Sequence, residues 1–125
     1  MVDINIINAA TAKVGPYSHA IKADNLIFVS GQISESGLTT IENQTLSVLG
    51  KIKEILEIAG SNISNVLKVT VFLKEMKEFD QMNQTYGKFF KQNGVHEKFP
   101  ARTTVEVSNL PRSDLKIEID VIATI

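Results

Sequence analysis

Thirteen side chains in this sequence are lysine or arginine, and only two of them are arginine, Arg102 and Arg112. Lysine serves wherever a generic positive charge suffices, so an arginine in "FPARTTVEV", residues 99–107, asks for a reason. A guanidinium grips a carboxylate through two parallel hydrogen bonds, which an ammonium cannot do. Strand alternation puts Arg102, Thr104 and Glu106 on one face and Ala101, Thr103, Val105 and Val107 on the other. Arg102 reads either as a solvated strand charge or as a clamp for a small anion, and residue choice alone does not separate the two.

Glu118 is the second chemical candidate. It lies in a final strand from Lys116 to Ile125, joined to the arginine strand by "SNLPRSD" with Pro111 as a turn signal. A hairpin of symmetric register would set Glu106 opposite Lys116, Thr104 opposite Glu118 and Arg102 opposite Asp120. Arg102 and Glu118 would then be diagonal neighbours on one face. An arginine for an anionic substrate beside a carboxylate for proton transfer is a minimal acid–base site, and the competing reading is a solvated charge ladder. Asn83 falls on the apolar stripe of a helix, where a buried amide needs partners in the core or in a cleft. Tyr17 and Ser30 adjoin turns and strand ends, and each alone reads as structural. His19 and His96 are the only histidines; neither has a metal-ligand partner at recognisable spacing, and the role of His19 stays open.

Composition narrows the classes. The 125 residues fit one domain, which buries roughly two-thirds of the surface its unfolded chain exposes. With 43% hydrophobic and 22% charged residues the chain has an ordinary globular balance. The absence of cysteine excludes disulfides, thiol nucleophiles and cysteine-ligated metals. A net charge of −1 prepares nothing for nucleic acid or an anionic membrane. No signal peptide pattern or apolar run of membrane-spanning length is present, so a cytoplasmic location is expected. No Gly-rich phosphate loop, nucleophile elbow or zincin motif appears.

The elements that must position these residues follow from periodicity. "HAIKA" and "LIFVS" read as paired strands around a turn at Asp24-Asn25, the second ending at Gly31, where a bulge or a close backbone approach is expected. A helix is predicted from Ile41 to Ala59, with Thr39 and Glu42 as a capping box and Gly60 as its stop. "NVLKVTVFLK" is a strand. A second helix runs from Lys77 to Gln92 with the stripe Phe79, Met82, Tyr86, Phe89 and Phe90. The order is β-β-α-β-α-β-β, with room for a short N-terminal strand. Two amphipathic helices can cover one face of a single sheet, and the partly apolar second face suggests oligomerisation.

Six stretches, "GPYSHA" (15–20), "FVSGQI" (28–33), "NVLKVTVFL" (65–73), "MNQTYGKFF" (82–90), "FPARTTVEV" (99–107) and "LPRSDLKIEIDVIA" (110–123), together resemble the RidA (YjgF) subgroup of the Rid family of reactive-intermediate deaminases. The resemblance implies an α/β fold of the α+β two-layer kind, chorismate-mutase-like, with a mixed sheet and two helices on one face. It implies a homotrimer with active sites between subunits. It implies hydrolysis of 2-imino and 2-enamino acids (2-iminobutanoate, 2-iminopropanoate, 2-aminoacrylate) to 2-oxo acids and ammonia, without metal or cofactor. Carried over by position, Arg102 would hold the substrate carboxylate and Glu118 would activate water or shuttle a proton. Tyr17, Ser30 and Asn83 would line the cleft, and the backbone at Gly31 and Thr104 would contact substrate or water. Thr104 departs from a cysteine common in the family.

Three other functions are weighed against this one. A non-catalytic trimeric binder of 2-oxo acids would suit Arg102, but gains nothing from Glu118 beside an anion. A ribonuclease, a label some relatives carry, lacks a basic stripe and a spaced histidine pair here. Chaperone-like activity leaves no mark in the residues.

Overall fold

The computed structural model describes residues 2–125. Its elements are β1 (Ile4–Ile7), β2 (Ala20–Ala23), β3 (Leu26–Ile33), α1 (Ile41–Ile58), β4 (Val66–Leu73), α2 (Phe79–Gln92), β5 (Ala101–Glu106) and β6 (Ile117–Thr124). Single turns of 3-10 helix at Ile63–Asn65 and Met76–Glu78 lead into β4 and α2. This is the order read from the sequence, with the short first strand included. The six strands form one mixed sheet in the order β1-β2-β3-β6-β4-β5.

The expected hairpin of β5 and β6 does not form. β4 lies between them, antiparallel to β6 and parallel to β5. The reason is the helix: β4-α2-β5 is a crossover unit, and a crossover returns the chain parallel to its first strand. β6 is buried at every second residue and takes two strand neighbours, β3 and β4. Arg102 pairs with Val69, which pairs with Val121, whereas Glu118 pairs with Phe72 and Ile33. Paired residues share a face and successive residues alternate. Arg102 therefore lies on the face of Val69, and Glu118 on the opposite one.

One face is the core. Ile27, Val29, Val69, Val71, Ile117, Ile119 and Val121 pack in one cluster with Val48, Leu49, Ile52, Ile55 and Leu56 of α1 and Met82, Tyr86, Phe89 and Phe90 of α2. Thr40 caps α1 by accepting the Asn43 N–H at 3.1 Å, one residue later than the predicted cap. Gly60, at φ +86°, ends it: its N–H donates to the Glu57 carbonyl, and the Ser61 N–H donates to Leu56 at 2.8 Å. Gly94, at φ +90°, ends α2 by the same pair of bonds to Lys91 and Phe90. Gln44, fully buried in α1, ties the helix to the approach of β6. Its amide donates to the Leu38 and Asp114 carbonyls, both at 2.9 Å, and accepts the Lys116 N–H at 2.8 Å.

The other face carries no helix. Ile4 is 63% exposed, Ile6 65% and Phe28 42%, with Leu26 and Val105 also exposed. An apolar sheet face of this kind is a surface that protein normally covers. Among the described residues no helix is long and apolar enough to cross a membrane.

Candidate functional site

Glu118 stands on the open face of β6, where Val14, Tyr17, Ser30, Gly31, Ile33 and Pro111 join it around a cavity of about 260 Å³. The pairing of β3 with β6 slips between Val29 and Gln32, so Ser30 and Gly31 form a bulge. Ser30 fixes the bulge: its hydroxyl donates to the Ser18 carbonyl at 2.6 Å and its N–H to His19 at 2.9 Å. The Glu118 carboxylate lies against the Gly31 backbone. A Cβ at residue 31 would overlap Glu118 Oε2 and come within 3.0 Å of its Cδ. The constraint is one of space, since the φ of Gly31 is not in the left-handed region: any Cβ here moves the Glu118 carboxylate from its place.

Burial pushes the Glu118 carboxyl above the usual carboxylate range, and the Asp120 charge on the same face adds to the shift. Asp120 is itself raised by burial, with the Thr70 hydroxyl and the Lys68 ammonium opposing. A carboxyl that holds its proton to higher pH than usual, beside a cavity roomy enough for a small ligand and water, is suited to proton transfer.

Arg102 lies on the helix side of β5. Its guanidinium sits over the Tyr86 ring at 4.8 Å from the centroid and over Phe79 at 5.6 Å. Cation–π contact with two rings fixes the fork without using its N–H donors. No carboxylate lies in salt-bridge range of it among the described residues. Asn83, Tyr86, Gly87, Phe99 and Pro100 share its hollow. Three buried oxygens of this region, Asn83 Oδ1, Tyr86 OH and Thr104 Oγ1, have no hydrogen-bond partner in the chain. Burial pushes the Tyr86 phenol up to about 12, and the neighbouring guanidinium charge only partly offsets it. This is a region rich in unused polar capacity around one fixed cation. The Val107 N–H donates to the Leu73 carbonyl at 2.8 Å, so by alternation the Thr104 amide and carbonyl point off the free edge of β5.

The candidate residues thus fall into two groups separated by the sheet. Tyr17, Ser30, Gly31 and Glu118 share one cavity, and Asn83, Arg102 and Thr104 share the other region. Within one chain the sheet keeps Arg102 and Glu118 apart. Sequence reasoning passed over Val14, Ile33 and Pro111 as cavity walls and counted Phe79 and Tyr86 as core alone. Their signal was the spacing of two rings that flank Asn83 on one helix stripe. Arg112, the other arginine, is committed elsewhere: Nε and Nη2 hold the two oxygens of Asp114 at 2.5 and 3.0 Å, and Nη2 also donates to the Ser34 carbonyl. His96 is exposed, and no cluster able to hold a metal occurs among the described residues.

Comparison with known proteins follows the same lines. Residues 7–125 match the family model described as endoribonuclease L-PSP. A RutC family protein of Pyrococcus horikoshii is 44% identical, covering 98% of each chain. Reactive intermediate deaminase A, chloroplastic, of Arabidopsis thaliana is 42% identical over 93% of this chain and 62% of its own length. The crystal structure of the E. coli YjgF gene product superposes with a TM-score of 0.89 at 37% identity, covering 96% of this chain and 98% of that one. That of E. coli TdcF with bound serine gives 0.89 at 30% identity, covering 97% and 98%. Fold, length and near full-length identity agree, and the chain belongs to the Rid family of YjgF- and RutC-type proteins.

Proposed function

We propose that this protein is a hydrolytic deaminase of small 2-imino and 2-enamino acids, acting at a site completed between subunits of a homotrimer. The observation that carries the reading is the division of the candidate residues. A guanidinium held on two aromatic rings has no carboxylate in its own chain, and a carboxyl with raised proton affinity faces a separate cavity. Neither group alone suits hydrolysis, and a neighbouring copy can supply the missing one. The exposed apolar sheet face supports the assembly. TdcF, the relative solved with bound serine, supports the substrate class, since serine has an α-carboxylate and a nitrogen on C2.

In this mechanism Arg102 fixes the substrate carboxylate and so orients the C2=N bond. An enamine is first protonated on carbon to give the imine. Water held by Glu118 attacks C2, Glu118 takes its proton, and the nitrogen receives a proton as the carbinolamine collapses to a 2-oxo acid and ammonia. Tyr17 and Ser30 shape one wall and Asn83 the other. Backbone at Gly31 and Thr104 offers hydrogen bonds to substrate or water, so threonine at 104 is compatible with the role. Positioning and fixed dipoles supply the acceleration.

The test couples an amino-acid oxidase or threonine dehydratase to semicarbazide trapping of the imine. Wild-type protein lowers the trapped signal, and Arg102→Lys loses most of that effect because an ammonium cannot make the two-point contact. No change in trapped imine with the wild-type protein would favour a metabolite-binding module. The ribonuclease description of the family model finds no support at His19, because both of its ring nitrogens are bonded to backbone.

A further inference from the structure

His19 takes no part in the chemistry above, yet it is only 3% exposed in a stretch whose preceding residues are mostly exposed. Its ring reaches back across that stretch. The Ala9 N–H donates to Nδ1 at 3.1 Å, and Nε2 donates to the Thr11 carbonyl at 2.7 Å, with Thr11 Oγ1 3.2 Å away. Because Nδ1 accepts, the ring is the neutral Nε2–H tautomer. Beside it the backbone is fastened to the bulge, through Ser30 to the Ser18 and His19 carbonyls. The segment from Ala9 to Ser18 is therefore a loop carried on the β1–β2 hairpin, whose last pair is Ile7 with Ala20, and the imidazole is the side chain that ties across its base.

The tip of this loop forms part of the Glu118 cavity. Val14 and Tyr17 are two of its walls, and both are exposed. The tip is shaped only by local bonds: the Tyr17 N–H to the Gly15 carbonyl at 3.1 Å, and the Val14 N–H to the Tyr17 hydroxyl at 3.3 Å. Those bonds fix the turn but not its place over Glu118. Placement depends on the stem.

We propose that His19 is a positioning residue, a latch that closes the 9–18 loop and so stands Val14 and Tyr17 over the cavity beside Glu118. Its effect on turnover rests on the deaminase reading, but the latch itself does not.

The test pairs amide hydrogen exchange with kinetics in His19→Ala, His19→Gln, Tyr17→Ala and the His19→Ala/Tyr17→Ala double variant. In His19→Ala, exchange at the Ala9 amide, which loses its acceptor, rises about tenfold or more while β3 amides keep their protection. KM for 2-iminobutanoate rises about fivefold to tenfold with kcat nearly unchanged, since fewer molecules hold the loop in place. Glutamine carries one donor and one acceptor, so His19→Gln restores both readouts to within about twofold. In the Tyr17→Ala background His19→Ala adds less than about twofold to KM, because the latched group is gone. Unchanged exchange in His19→Ala would overturn the latch. Raised exchange with unchanged KM, or KM effects that simply multiply, would make His19 a structural residue without influence on the site. Should the wild-type protein hydrolyse no imine, the exchange arm still decides the latch while the deaminase reading fails.

Discussion

Arg102→Ala and Glu118→Gln chains, each inactive alone, should regain activity when mixed. The expectation follows from the register. Arg102 and Glu118 sit on strands with β4 between them, about 10 Å apart laterally at roughly 5 Å per strand step, and their side chains leave opposite faces. A substrate of a few atoms cannot touch both through a packed sheet, so under the proposed function each site takes Arg102 from one subunit and Glu118 from the next. In a cyclic trimer with heterologous interfaces, random 1:1 assembly gives an intact arginine at half the sites and, independently, an intact glutamate at half, so about one quarter of sites are whole. Each parent should fall about a hundredfold or more, as when one partner of a close charge pair is lost. The two proteins are unfolded together, refolded, checked for mixed trimers by native mass spectrometry, and assayed by imine trapping. Recovery of about a quarter of the wild-type rate is expected, and none when Arg102→Ala is mixed with the double variant. A mixture that forms mixed trimers but stays at the mean of its parents would refute the two-subunit site.

Gly31→Ala should displace the Glu118 carboxylate, because the new Cβ overlaps Oε2; kcat falls about tenfold or more with a stability loss of about 1–2 kcal/mol, and a wild-type kcat would show that the resting position of Glu118 is immaterial. Gln44→Ala leaves two carbonyls and one N–H without their buried partner, at a cost of about 3 kcal/mol; the urea midpoint measures it, and a loss below about 1 kcal/mol would mean that water replaces the amide. The pH limb governed by Glu118 should lie above the ordinary carboxylate range, since burial first and Asp120 second hold its proton on. Asp120→Asn should move that limb down without reaching the ordinary value; a limb that stays put would remove Asp120 as a cause. The sign for stability runs the same way: the cost of holding the charge is absent below the usual glutamate range and complete above the raised value.

Element identity was legible because face burial writes a period into the chain, and the Gly60 stop was readable from the need for left-handed backbone. Strand partners were not legible. Alternation says which face of β5 is polar, but not that α2 would carry β5 to the far side of β4, and so the arginine and glutamate were given one face when they have two. Residue choice singled out both arginines equally, and only coordinates separate Arg102 on its rings from Arg112 in its ion pair. Gln44 interrupts an apolar stripe without any visible partner in sequence, since Asp114 and Lys116 lie some seventy residues away. The aromatic bed of Arg102 was hidden because Phe79 and Tyr86 serve the core and the site at once.

β6 follows the other five strands of the sheet in chain order, yet it lies inside the sheet. Before it arrives, β1-β2-β3 and β4-β5 are two separate ladders with two facing edges and no strand to join them. Such edges are open to pairing with other chains. Closure therefore waits for β6, and the same event that seals the sheet delivers Glu118 to its cavity. A chain cut short at Leu115 would lack both the join and the carboxyl, so quality control on the fold doubles as quality control on the chemistry.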